Sequence, residues 1–155
     1  MSIKDNKALA RRWFDSTTYQ DQISKALQAK DPKAALEKLI RSLVEQVWAP
    51  DCVAHSPEGD ANRERIVKNN VALGEAFPDV SFIIDTMVAE GDMVAIRGRM
   101  QGTNIGSYNG MPPTGKKIEM GYISVCRIAG GKVVESWRYS DTLGMMQQLG
   151  AIPKR

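Results

Sequence analysis

The chain is poor in the residues from which metal and disulfide sites are made: 1 histidine and 2 cysteines in 155 residues. Cys52 and Cys126 lie far apart with no CxxC spacing, so neither a disulfide framework nor a zinc knuckle is indicated, and a reduced, cytoplasmic compartment is the simpler expectation. With His55 alone and no clustered Cys, Asp or Glu, a transition-metal site is not expected, and any chemistry should need no cofactor. No apolar run approaches the ~18–20 residues that cross a bilayer, and the polar start Met1-Ser2-Ile3-Lys4-Asp5-Asn6 lacks the apolar core of a secretory signal, so no membrane partner is expected. Charge of a single sign is missing as well. The 21 basic and 18 acidic residues are interspersed, which argues against a nucleic-acid surface. Internal repeats and low-complexity tracts are also lacking.

What is present is the composition of a globule, 43% hydrophobic and 25% charged. The length suits one domain over residues 1–155, long enough to bury about two-thirds of its unfolded surface. Leu9, Trp13, Phe14, Ile23 and Leu27 recur at helical intervals around a polar break at Asp15-Ser16-Thr17-Thr18, which predicts two helical pieces or one interrupted helix. Asp31-Pro32 supplies an N-cap and a first-turn proline for a helix carrying Leu36, Leu39, Ile40, Leu43, Val44 and Val47, ending near Ala49-Pro50. After a short extended stretch and a loop with His55, Asp60 is positioned to cap a further helix that ends at Pro78. Beyond Pro78 the pattern turns to β-strand. Val80–Ala89 and Met93–Met100 flank a Gly91-Asp92 hairpin, and a Gly/Pro-rich loop spans Gly102 to Lys116. Lys117–Ile128 and Lys132–Tyr139 flank Gly130-Gly131, and a last helix presents Leu143, Met146 and Leu149 on one side. Helices first and antiparallel strands afterwards predict an α+β arrangement with helices covering one face of a curved sheet around a pocket.

Several segments resemble one family. Glu75-Ala76-Phe77-Pro78-Asp79 with Glu90-Gly91-Asp92, the loop Gly102-Thr103-Asn104 through Pro112-Pro113-Thr114-Gly115-Lys116, and Gly131-Lys132-Val133-Val134-Glu135-Ser136-Trp137 through Asp141-Thr142-Leu143-Gly144 are similar to SnoaL-like polyketide cyclases, as is Trp48–His55 upstream. The likeness covers about Val47 to Gly150. It implies the cone-shaped nuclear-transport-factor-2-like fold, whose members serve as cyclases, epoxide hydrolases, isomerases or binding cones, so fold is better supported than function. It also implies a homodimer paired through the outer sheet face, and a hydrophobic small molecule as partner. The helical text at about 19–32 is longer than the family's usual link and is expected to remodel the pocket mouth.

The leading functional expectation is cofactor-independent, aldol-type cyclisation of a hydrophobic carbonyl compound or polyketide ester. Asp141 matches the family's acid/base aspartate. By the two-residue period, if no bulge intervenes, it shares a face with Trp137 and Tyr139, and burial among them would raise its pKa. It is equally placed to cap the final helix. Arg97, which matches a family arginine, and Arg99 project from one strand face and are candidates for holding a substrate oxygen, against the plainer reading of a solvated or subunit-pairing face. His55 is the second catalytic candidate, against a structural hydrogen-bonding role. Tyr122, Trp137 and Tyr139 are candidate substrate contacts; Tyr122 shares a face with Ile118, Met120, Ser124, Cys126 and Ile128 that serves as lining or as core. An epoxide-hydrolase alternative needs Asp-Arg-Asp on the middle strand, where Arg97-Gly98-Arg99 stands instead. A non-catalytic small-molecule binder is the other alternative. Gly110–Lys117 comes within one residue of a phosphate-cradling loop, but Lys117 replaces the hydroxyl, two prolines remove N–H donors and a strand follows.

Overall fold

The structure is a computed structural model describing residues 1–15 and 20–154. Part of the polar break, residues 16–19, lies outside the described residues. Helix α1 (Ile3–Phe14) starts from a capping box in which Ser2 and Asp5 satisfy each other's backbone donors. Short α2 (Gln20–Leu27) follows. Asp31 caps α3 (Pro32–Val47), with its side chain accepting from the N–H of Ala34, and Pro32 opens the helix as its lack of an N–H permits. The chain passes directly from α3 into strand β1 (Trp48–His55), so the helix ends two residues before Ala49. Helix α4 (Arg63–Ala76) is capped by Asn62, not by Asp60, whose carboxylate binds the His55 ring instead.

The sheet then follows in chain order: β2 (Ser81–Glu90), β3 (Met93–Thr103), β4 (Lys117–Ala129) and β5 (Lys132–Ser140), with α5 (Thr142–Leu149) last. Spatial order is β1-β5-β4-β3-β2; the β1–β5 pair is parallel and the others antiparallel. In β4 the even-numbered residues Ile118 to Ile128 are buried and the odd-numbered ones mostly exposed, so the strand has one face on the helices and one outside. The apolar stripes of α1 (Leu9, Phe14), α3 (Leu36, Ile40, Val44) and α4 (Ile66, Val67, Val71) cover the inner face. On α5 the buried residues are Met145 and Leu149, whereas Leu143, expected inside, is 62% exposed.

Two bulges set what each face displays. In β2, Asp85 is the extra residue between the Ile84–Gly98 and Thr86–Arg97 pairs. In β5, Val133 stands opposite Ile128 but Glu135 stands opposite Arg127, leaving Val134 as the extra residue. A one-residue insertion exchanges the two faces of everything beyond it. A regular ladder would set Trp137 against inward-facing Ser124; the bulge sets Arg138 there instead.

Candidate functional site

The bulged β5 therefore presents Ser136, Arg138 and Ser140 to the interior. They face a cavity of about 370 Å³ between sheet and helices, with walls from Trp13, Phe14, Trp48, Met100, Met120 and Met145 and polar groups from Asn70, Tyr108 and Ser124. The rim carries the exposed residues Glu58, Arg65, Asn109 and Thr142. A smaller apolar annex of about 40 Å³ adjoins it, sharing Trp13, Phe14 and Arg138 and closed by Ile23, Ile40 and Phe82. Ile23 belongs to α2, so the additional N-terminal helix contributes a wall of the annex.

Arg138 is the centre of this arrangement. Its guanidinium lies 4.5 Å from the Tyr122 ring centroid and 5.6 Å from that of Phe82. Nε donates to Ser140 Oγ at 3.3 Å, and the two terminal nitrogens have no hydrogen-bond partner among the described residues. Burial lowers its pKa, an effect opposed by Tyr122, Tyr108 and Glu58; an arginine so placed still stays charged. Tyr122 itself is buried beneath the guanidinium, and burial pushes its phenol up to about 12. Gly98 makes room for it: a Cβ there would come within 2.6 Å of both the Tyr122 ring and the Ile83 carbonyl oxygen.

Tyr108 reaches the cavity from the Gly/Pro-rich loop, where it packs edge-on to Phe77 with centroids 5.4 Å apart. Burial raises its phenol pKa, and the charge of Arg138 opposes the rise. Buried Asn104 holds this loop: its Nδ2 donates to the Gly106 carbonyl at 2.8 Å and its Oδ1 accepts from the Thr114 N–H at 2.8 Å. The loop thus contributes Tyr108 and Asn109 to the cavity lining, and a strand follows it, as the sequence pattern from Lys117 predicted.

The residues singled out in the sequence are mostly elsewhere. Asp141 is exposed and caps α5, its Oδ1 accepting from the Gly144 N–H at 2.9 Å; it is not among the residues lining the cavity. Trp137 and Tyr139 occupy the outer face, with Tyr139 67% exposed, because the bulge turns them outward. Arg97 and Arg99 are outside too, around Asp85: Arg99 pairs with it at 3.0 Å and with Glu119 at 3.2 Å, while Arg97 approaches it at 3.8 Å. The hydrogen bond from Arg99 holds the Asp85 carboxyl below its ordinary pKa. An Arg97-based epoxide-opening set would therefore sit on the wrong side of the sheet. His55 borders the cavity, but its ring faces outward, with Nδ1 2.8 Å from Asp60, Nε2 3.0 Å from Glu135 and the ring stacked 5.6 Å from Trp137. Of the candidates, Tyr122 alone touches Arg138 from the inner face. Both cysteines are buried and free.

Sequence reasoning missed Arg138, Tyr108, Glu58 and the serines of β5. The one available signal was the register of the Gly130-Gly131 hairpin, and the bulge that decides it leaves no mark in residue type.

Comparison with known proteins places this geometry among relatives. A family model described as SnoaL-like polyketide cyclase matches residues 32–149. No curated protein matches the chain. Among solved structures, IdmH of Streptomyces antibioticus, a polyketide cyclase candidate, is 30% identical over 83% of this chain and 99% of its own, with a TM-score of 0.61. AclR of Streptomyces galilaeus, described as a candidate hydroxylase, is 25% identical over 99% of this chain and 86% of its own, with a TM-score of 0.74. A SnoaL-like polyketide cyclase candidate from Jannaschia sp. CCS1 is 22% identical over 99% and 97%, with a TM-score of 0.76, a likeness of fold. The architecture is thus the nuclear-transport-factor-2-like cone that the sequence motifs implied.

Proposed function

The chain belongs to the SnoaL-like polyketide cyclase family, and from that premise we propose that it takes a hydrophobic carbonyl compound of polyketide type into the Arg138 cavity and closes a ring by cofactor-independent, aldol-type chemistry. The observation that carries this reading is the cavity-lining guanidinium whose two terminal nitrogens have no hydrogen-bond partner among the described residues. In such a reaction a proton leaves a carbon next to a carbonyl, the resulting enolate carbon attacks a second carbonyl, and the alkoxide formed takes a proton back. Negative charge develops on oxygen in the first step, and a preorganised cation lining the cavity stabilises it where it appears. The Tyr108 hydroxyl is a second donor toward the same space.

For the proton itself, Glu58 is the better-placed carboxylate because it lines the cavity, whereas Asp141 would have to release the Gly144 N–H and turn inward. Folding of a long, flexible substrate against the aromatic and methionine walls supplies the proximity that the ring closure needs. A second reading is a binding cone without turnover. It is favoured by one feature: among the described residues Glu58 is the sole acid lining the cavity, and it sits at the rim.

The test is turnover of a linear polyketide-type β-dicarbonyl substrate. Arg138→Gln is expected to lower kcat/KM by about 100-fold or more, the scale of losing a principal charge-stabilising donor. Glu58→Gln should lower kcat while leaving KM nearly unchanged. Asp141→Asn, which preserves a good helix cap, should leave both within about threefold. An inactive Asp141→Asn protein beside an active Glu58→Gln one would return the acid/base role to Asp141; full activity in Arg138→Gln would refute the reading.

A further inference from the structure

Arg138 is enclosed by the sheet, the aromatic rings of Tyr122 and Phe82 and the helical layer, and it makes no ion pair with any described residue. A buried cation is ordinarily matched by a carboxylate of the same protein, because burying a charge without a partner is among the costlier things a fold can do. Elsewhere the chain follows that rule: Arg99 has Asp85 and Glu119, Arg127 has Glu135, and Arg41 has Glu37 and Glu64, all of them nearer the surface than Arg138. Arg138, set deeper than these three, makes no such pair among the described residues. Its Nε donates to Ser140, and the guanidinium lines the cavity with both terminal nitrogens unpaired among the described residues. That fork matches the two oxygens of a carboxylate, and Ser124 and Ser136 flank it with hydroxyls. The surrounding walls are indole, phenyl and thioether groups, and the apolar annex opens beside the same guanidinium.

We propose that the cavity is built for a hydrophobic acid in its ionised form, a carbonyl compound bearing a free carboxylate rather than the corresponding ester, with that carboxylate received by the terminal nitrogens of Arg138. The inference rests on reading this cavity as a small-molecule site and deepens it by naming the charge of the ligand; with its terminal nitrogens on the carboxylate, Arg138 anchors the substrate, and the cavity-lining Tyr108 is the remaining donor for the enolate oxygen. The missing acid partner of Arg138 is then the ligand itself. A neutral ester offers one carbonyl lone-pair acceptor and leaves the cation uncompensated; the acid offers two charged acceptors in the right geometry. The carbon frame lies against Trp13, Trp48 and Met100, and a small branch fits the annex beside Ile23 and Phe82.

The experiment is calorimetric titration of the full chain with a matched pair of probes, 3-hydroxy-2-naphthoic acid and its methyl ester, at a pH where the acid is ionised. The acid is expected to bind at least about tenfold more tightly than the ester, and Arg138→Met should bring the two within about twofold by weakening the acid alone. Arg138→Met is expected to melt at or above the wild-type temperature, since it removes an unpaired buried charge. Arg138→Lys, which keeps the charge but not the fork, gives the comparison a second arm: the preference for the acid should persist at reduced size. Equal binding of acid and ester by the wild-type protein would overturn the charge inference and leave the cavity reading standing. Binding of neither probe at millimolar concentration would overturn both.

Discussion

A histidine held between two carboxylates behaves differently from a free one. His55 touches Asp60 and Glu135, and these hydrogen bonds, that of Asp60 first, raise its pKa above the ordinary value. Because the folded-state pKa is the raised one, the associated stability is fully present below the unfolded value of about 6.5 and is lost as pH rises through the folded value. We expect the gap in urea midpoint between the wild type and His55→Gln to be wide near about pH 5.5 and to narrow by about pH 8.5. A gap of constant width would show that the ring contributes by packing on Trp137 instead. Arg127, which lies over that indole 5.5 Å from its centroid and pairs with Glu135, completes the same outer cluster. The His55 ring borders the cavity and engages these carboxylates with both its nitrogens, so a loop histidine near the pocket was a natural candidate. Asp141 carries a similar lesson: the carboxylate that matches the family's aspartate also stands at a helix start, and its Oδ1 accepts from the N–H of Gly144.

Among the elements, β3 and β5 govern the cavity by what they omit and insert. Gly98 on β3 leaves the gap that the Tyr122 ring fills, and the ring in turn supports Arg138. Gly98→Ala is therefore expected to destabilise the protein by about 1–3 kcal/mol through overpacking against backbone and ring, read from the denaturation midpoint; unchanged stability would mean that Tyr122 has somewhere else to go. On β5 the inserted Val134 decides which residues see the ligand. The helices, the hairpins at Gly91-Asp92 and Gly130-Gly131 and the inward face of β4 were legible in the chain because each rests on local signals: caps, turn residues and alternation. Trp137 and Tyr139 were misplaced because strand alternation carries no mark of where it skips a step, and an aromatic pair looks more like a pocket wall than Ser136, Arg138 and Ser140 do. The helix cap at Asn62 escaped for a related reason, since Asp60 is as good a cap and is engaged instead by the His55 ring, which Glu135, 80 residues from His55 in the chain, holds through its other nitrogen.

At the scale of the whole molecule, the sheet has one face closed by helices and one left bare. On the bare face Arg97, Ile123 and Tyr139 stand in a row across β3, β4 and β5, with Ile123 54% exposed between them. Together with the pairing implied by the family resemblance, this leads us to expect a homodimer joined through that face. Sedimentation should give a dimer at micromolar concentration and a monomer for Ile123→Glu, with ligand binding retained; a monomeric wild type would remove the expectation. The distribution of indoles across the two faces has a further consequence. Trp13 and Trp48 meet edge to face with ring centroids 5.7 Å apart at the cavity wall, while Trp137 lies on the opposite side of the sheet. Occupancy of the chamber must therefore perturb the emission of two of the three fluorophores and spare the third, so the molecule carries its own optical gauge. Replacing Trp137 with phenylalanine would strip the constant background from that signal and let filling of the chamber be followed without a label.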